Sequence, residues 1–141
     1  MSRPHRSDDE RGSLSVEMAM IAPALLLIFG LIFAYGRVGQ VNGLLDSGTR
    51  DGARSATNAR AYDEARQQAT DAIRDAIQQA PPDCVTSLKV QLIGRFEMGS
   101  PITVRATCSY GLSDIGLPGA PGTVHPTSSF TSMLDPNRGL E

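Results

Sequence analysis

The stretch that decides the fold is ERGSLSVEMAMIAPALLLIFGLIFAYGR, residues 10–37. From Met18 to Gly36 it carries no charged side chain. As an α-helix this uncharged run would be about 28 Å long, which is close to the roughly 30 Å thickness of a bilayer's hydrocarbon core. The stretch therefore predicts a helix that crosses a membrane.

Two other interpretations of the apolar run are weaker. A buried helix of a soluble protein is disfavoured because the run is apolar on every face, and a chain of 141 residues has little protein with which to cover it. A cleaved secretory signal would fit AYG at residues 34–36 as its cleavage site. However, the preceding RPHRSDDERG mixes arginines with carboxylates, and the apolar run exceeds the usual signal core of about 7–15 residues. We predict a retained membrane helix over residues 13–36.

Glu17 and Pro23 are unusual residues for such a helix. A carboxylate at the bilayer centre costs about 2.5–3.5 kcal/mol, and less near the interface. Glu17 therefore either lies at headgroup level or pairs with a cation inside the membrane. Pro23 lacks an N–H, so it leaves the Ala19 carbonyl without its usual partner and favours a kink. Arginines on both sides of the helix leave its orientation undecided by charge.

Pairs of glycines at four-residue spacing follow the membrane segment, at Gly39 and Gly43 and at Gly48 and Gly52. In a helix this spacing makes a flat ridge that lets another helix approach closely. The alternative is that the glycines only loosen the helix, at about 1 kcal/mol each relative to alanine. The sequence leaves open whether one helix continues through them.

An amphipathic helix is predicted over residues 61–80. Its apolar residues recur at helical spacing, and the stripe consists of Ala65, Ala69, Ala72, Ile73, Ala76, Ile77 and Ala80. Thr57 and Asn58 are good capping residues and favour a break before this helix. The PPD sequence at residues 81–83 predicts its end.

Two strands are predicted after this helix, because apolar and polar residues alternate over residues 88–92 and 102–110. GRFEMGSP between them indicates a hairpin connection, and TSSFTSML indicates a third strand, at the edge. Cys84 and Cys108 fall near the same end of the hairpin. A disulfide is the expected state if this part lies outside the cytoplasm, and two free buried thiols are the alternative.

Composition and motifs favour a structural role over catalysis. The formal net charge is −2, which gives no basic patch for nucleic acid. There is no nucleophile elbow, phosphate-binding glycine loop or metal-ligand spacing, and His125 and Asp114 fit loop residues. We expect no enzymatic activity, no cofactor or metal, and no small-molecule substrate.

The N-terminal sequence resembles that of type IV prepilin-like proteins, and more narrowly of TadE-like pseudopilins (minor pilins) of the tight-adherence (Tad/Flp) pilus system. The resemblance rests on RGSLSVEMAMIAPALLL, on SGTRDGARSA after the membrane helix and on GSPITVRATCSY in the later strand region. It implies that a prepilin peptidase cuts after Gly12, so that Ser13 becomes the N-terminus and Glu17 the fifth mature residue. Glu17 would then pair with the new amino group of a neighbouring subunit.

The resemblance also implies partners and location. The partners would be the membrane, the prepilin peptidase, other pilin-like subunits and the pilus assembly platform. The chain would cross the cytoplasmic membrane once, with its N-terminus in the cytoplasm and its head outside, and it could enter an extracellular pilus. A secreted or membrane-anchored binding module with an ordinary signal or anchor segment is the alternative.

These observations together predict a pilin-like α+β fold. A single-pass N-terminal membrane helix extends into a long helix and is followed by a small head with an antiparallel β-sheet. The predicted segments are a leader over residues 1–12, the membrane helix over 13–36, helical structure over 37–80, a β-rich head over 81–134 and a flexible tail over 135–141.

Overall fold

The computed structural model describes residues 9–115, 119 and 121–137, with side chains from Ser15 onward. Residues 1–8 of the predicted leader and 138–141 of the predicted tail lie outside the described residues. The fold is α+β, as predicted, with a long N-terminal helix, two further α-helices and a small antiparallel sheet.

Helix α1, Asp9–Ala56, is unbroken over its 48 residues and is therefore about 72 Å long. It continues through Pro23 and through all of the glycines up to Gly52. The helix ends where the sequence favours a break, because Thr57 and Asn58 form a turn. The Thr57 hydroxyl donates to the Arg54 carbonyl at 2.7 Å, and this bond satisfies one of the last carbonyls of α1.

Helix α2, Tyr62–Ala76, packs against the last turns of α1. Ala65, Ala69 and Ile73 of its predicted apolar stripe are buried, and its charged residues are exposed. The helix ends at Ala76, earlier than predicted, and residues 77–80 form a turn. The prediction that the PPD sequence ends this helix is wrong.

The PPD sequence instead begins a short helix: α3, Pro82–Thr86, starts at the second proline. Proline is well suited to the first turn of a helix, since the N–H that it lacks would have no partner in that turn.

The main sheet has three antiparallel strands in the order β1-β2-β5. They are β1, Lys89–Ile93, β2, Pro101–Thr107, and β5, Thr127–Met133. Two further short strands, β3 at Tyr110–Gly111 and β4 at Thr123–Val124, pair with each other, and a 3-10 helix at Leu112–Ile115 follows β3. The predicted second strand is thus divided, because β2 ends at Thr107 and Tyr110 belongs to β3. The hairpin between β1 and β2 and the edge position of the third strand are as predicted.

The core lies between the inner face of the sheet and the pair α1 and α2. The strands contribute alternate residues to it, as period-two patterning requires: Val90, Leu92, Ile102, Val104 and Ala106. The C-terminal half of α1 contributes Val41, Leu45, Ala53 and Ala56. The last turns of α1 are therefore part of the head, whereas its N-terminal half extends away from the core.

Candidate functional site

The N-terminal half of α1 exposes its large apolar side chains. Among the described residues, α1 contains the one segment long and apolar enough to cross a membrane, with a mean hydropathy of 2.3 in an 18-residue window, none of which is buried. The exposed large apolar residues of α1 before Gly36 are Val16, Met18, Met20, Ile21, Leu25, Leu26, Leu27, Ile28, Phe29, Leu31, Ile32, Phe33 and Tyr35. Since so large an apolar surface is unfavourable in water, it supports membrane anchoring through α1.

Glu17 lies at the start of this apolar surface and is exposed. Exposed apolar side chains lie next to it on the helix, with Val16 and Met18 beside it and Ile21 one turn later. Within the described part of the chain its carboxylate has no ion-pair partner, because the two ion pairs found there are Asp46–Arg50 and Asp71–Arg74. The backbone at Gly12 and Ser13 belongs to the first turns of α1.

The glycines of α1 fall into two groups. Gly48 and Gly52 are buried against α2, where an added Cβ would lie 2.9 Å from the Ala76 Cβ and 3.0 Å from the Ala69 carbonyl oxygen, respectively. Gly39 and Gly43 are exposed, and an added Cβ would meet nothing within 4 Å. Within the chain, α2 therefore approaches α1 closely at Gly48 and Gly52. A packing role for Gly39 and Gly43 stays a prediction.

The head is attached to α1 by a polar cluster. The Ser128 hydroxyl of β5 donates to a carboxylate oxygen of Asp46 at 3.0 Å and hydrogen-bonds with the hydroxyl of Thr49 at 2.8 Å. Arg50 donates to the other Asp46 oxygen at 3.0 Å, and its guanidinium carbon lies 5.9 Å from the centre of the Phe130 ring. Thr49 is fully buried. These contacts fix the direction of β5 relative to α1.

In a comparison with protein families, residues 12–54 match the family described as TadE-like protein. The chain is TadE-like over this segment. The match begins at Gly12 and covers nearly all of α1, including Glu17 and both glycine groups. It associates the protein with Tad pilus systems. Comparison with curated proteins and with solved structures found no match.

The TadE-like segment ends before the disulfide, which belongs to the head. Cys84 of α3 and Cys108, just after β2, form the bond, with their Cα atoms 4.9 Å apart. Both cysteines are buried, so the predicted disulfide is present and neither thiol is free. The bond ties the segment after α2 to the end of the central strand.

Tyr110 lies two residues beyond this disulfide and is 1% exposed. Its hydroxyl has no hydrogen-bond partner among the described residues. Burial raises the pKa of the Tyr110 phenol, because desolvation disfavours the phenolate.

An open groove of about 630 Å³ separates α1 from the connection between β4 and β5. Its polar side chains include Asn42, Asp46 and His125, and the Asp46 carboxylate is already engaged by Ser128 and Arg50. Among the described residues there is no group of three or more His, Cys, Asp or Glu side chains that could hold a metal ion.

Sequence reasoning missed the polar cluster that joins α1 to β5. The four-residue spacing of Asp46 and Arg50 is a visible signal for an ion pair on a helix. Their contacts to Ser128 and Phe130 join residues about eighty positions apart, and no local pattern in the sequence encodes that pairing.

Proposed function

We propose that this protein is a minor pilin or pseudopilin, a structural subunit in the assembly of a Tad/Flp-type pilus, with no enzymatic activity of its own. A prepilin peptidase removes residues 1–12 by cutting after Gly12. Ser13 then becomes the N-terminus, and Glu17 becomes the fifth residue of the mature chain. The subunit associates with other pilin-like subunits through α1.

The observation that carries the proposal is the exposed Glu17 at the start of an exposed apolar helix, without an ion-pair partner in the described chain. A carboxylate in that position needs a cation to offset its desolvation. Cleavage creates one, since an α-amino group has a pKa of about 7.7–8.0 and is largely protonated at neutral pH. Pairing of Glu17 with the amino group of a neighbouring subunit would also fix the register of the two helices.

The proposed orientation places the N-terminus in the cytoplasm, where it meets the peptidase, and the head outside. The disulfide supports this orientation, because disulfides persist in oxidising compartments and are rare in the cytosol. The assembly platform and an ATPase supply the energy for assembly, and the subunit can pass from the membrane into an extracellular pilus.

The mature N-terminus tests the processing step. The protein is isolated from the membranes of cells that contain a prepilin peptidase, and its N-terminal peptide is identified by mass spectrometry. We expect a chain that begins at Ser13, and we expect a Gly12→Val variant to stay uncut. A chain that begins at Met1 or Ser2 would contradict the proposal, and one that begins at Arg37 would instead support a secreted module with an ordinary signal.

The charge of Glu17 tests the pairing step. We expect Glu17→Gln, which keeps the shape but removes the charge, to lose co-purification with other pilin-like subunits from solubilised membranes. Met18→Ala changes the adjacent exposed residue without altering charge and serves as the matched control. Co-purification of Glu17→Gln at the wild-type level would show the pairing idea to be wrong.

A further inference from the structure

Strand β5 is an edge strand, and among the described residues no other strand pairs with its outer side. The Leu134 amide donates to the Ser100 carbonyl, and the Cys108 amide donates to the Pro126 carbonyl. Because hydrogen-bonded pairs alternate along an antiparallel ladder, the even-numbered residues of β5 bond to β2. The backbone N–H and C=O groups of its odd-numbered residues therefore point away from the sheet; these are Thr127, Ser129, Thr131 and Met133.

The opposite edge of the sheet is partly covered by the chain itself. By the same alternation, the backbone N–H and C=O groups of Val90 and Leu92 in β1 point away from β2. The Tyr62 hydroxyl of α2 donates to the Leu92 carbonyl at 3.1 Å, and the Tyr62 ring packs edge-on against Phe96. In the described residues no comparable group hydrogen-bonds to the outward backbone of β5.

Strand β5 also lacks the features by which proteins protect an edge. Its sequence TSSFTSM has no charged residue and no proline, and it pairs residue for residue with β2 over all seven positions. Long, uncharged and regular edge strands are templates for another strand. An edge of this kind is expected to be covered when the protein is in its working assembly.

We propose that an extended segment of a different polypeptide pairs antiparallel with β5 and continues the sheet, carrying a carboxylate on the outer face opposite Ser129. Main-chain hydrogen bonds would provide the affinity of such a complex, and alternate side chains its specificity. This proposal goes beyond the subunit pairing through Glu17 and does not depend on cleavage after Gly12.

The charge of the partner segment follows from the outer face of the sheet. Among the side chains that β1, β2 and β5 place there, Lys89 and Arg105 are cationic and none is anionic. Arg105 lies directly opposite Ser129. Since Ser129 is short, the guanidinium can reach across it to a carboxylate on the next strand, where a charge-assisted hydrogen bond would form.

A second copy of this chain in the same membrane does not fit the edge. The contacts of Asp46 with Ser128 and of Arg50 with Phe130 show that α1 and β5 run in the same direction. Antiparallel pairing of two β5 strands would therefore make the two membrane helices run in opposite directions. In a parallel pair of two β5 strands, the backbone groups of the same odd-numbered residues would face each other. Because parallel hydrogen bonding requires the two strands to be offset by one residue, the two copies could not be related by two-fold symmetry.

Amide hydrogen exchange on the full chain tests the proposal. We compare the chain in membranes of cells that assemble the pilus with the same chain purified in detergent micelles. We expect the Ser129 and Thr131 amides to exchange at least about tenfold more slowly in the membranes. Equal rates would overturn the proposal. Protection of these amides in the purified chain would also overturn the proposal. If the protection is the same at all protein concentrations, the chain itself covers the edge. If it grows with protein concentration, a second copy of the chain covers the edge.

Two pairs of variants separate the backbone and the charge contributions. Ser129→Pro removes an outward N–H, and we expect it to abolish the membrane-specific protection at Thr131, whereas Ser129→Ala keeps it. Arg105→Glu leaves the backbone intact and should also abolish the protection, while Lys89→Glu, which changes a cation opposite Thr107, should not. Full protection in Arg105→Glu would refute the assignment of a carboxylate-bearing partner, even if Ser129→Pro fails to fold.

Discussion

Replacing Gly48 with alanine should destabilise the head, although alanine is the better helix former. Gly48 is buried where α2 crosses α1. An added Cβ would lie 2.9 Å from the Ala76 Cβ and 3.3 Å from the Ile73 Cα. Both distances are shorter than ordinary contacts between carbon atoms, which lie at about 3.5–4.0 Å. Since the second contact is to backbone, α1 and α2 would have to move apart.

The magnitude follows from two opposing contributions. Alanine gains about 1 kcal/mol over glycine in a helix interior, and overpacking of a close contact costs about 1–3 kcal/mol. Gly43→Ala is the matched control, because Gly43 is on the same helix, is exposed, and has nothing within 4 Å of an added Cβ. Its gain in helix propensity is the same, so the difference between the two variants isolates the packing cost of about 1–3 kcal/mol.

The assay is thermal unfolding of the full chain in detergent micelles, followed by near-UV circular dichroism of the tyrosines in the head. For a head of this size, 1 kcal/mol corresponds to about 4–8 °C in the unfolding midpoint. We expect the midpoint of Gly48→Ala to lie at least about 4 °C below that of Gly43→Ala, and Gly52→Ala to behave like Gly48→Ala. An equal rise in the midpoint of Gly48→Ala and Gly43→Ala would refute the assignment of Gly48 to a tight helix approach.

Further measurements address the disulfide, the buried phenol and the link between α1 and β5. Replacing both Cys84 and Cys108 with serine should lower the free energy of unfolding by about 3 kcal/mol, because the disulfide closes a loop with a sequence separation of 24. Chemical denaturation measures this change, and an unchanged denaturation midpoint would contradict the prediction. Above pH 10 the unfolded chain loses the Tyr110 proton while the folded chain keeps it, so stability should fall as pH rises through the raised pKa of Tyr110. In Tyr110→Phe this fall should be smaller, as pH-dependent unfolding can test. Ser128→Ala should cost about 1–2 kcal/mol in denaturant unfolding, since it removes the hydrogen bonds to Asp46 and Thr49.

Much of the fold could be predicted from local patterns. The membrane segment follows from its uniform apolarity, and the alanine-rich stripe of α2 and the alternation in β1 and β2 identify the faces that are buried. The break after α1 was signalled by Thr57 and Asn58. In each case the deciding interaction lies within one element or at its end, so a short window of sequence contains it.

Other features depend on contacts between distant segments. All four glycines between 39 and 52 have the same local pattern, yet only Gly48 and Gly52 meet α2, because the path of α2 selects one side of α1. Likewise, residues 77–80 continue the apolar periodicity but leave the helix, since Ile77 and Ala80 are buried in a turn that leads to α3 and the disulfide. The apolar periodicity therefore predicts that Ile77 and Ala80 are buried, but it does not predict whether they lie in a helix or in a turn.

The continuity of α1 connects the membrane to the head mechanically. A helix rotates by about 100° and rises 1.5 Å per residue, so the run from Ala24 to Asp46, which contains no proline, relates the direction of the head to any contact made by the apolar side chains that follow Pro23. Asp46, Thr49 and Arg50 then hold β5 to the same helix through direct contacts. A partner that binds the membrane half of α1 would therefore also determine which way the open edge of β5 faces. Attachment in the membrane and strand addition at the head would thus be geometrically coupled, although they use different residues.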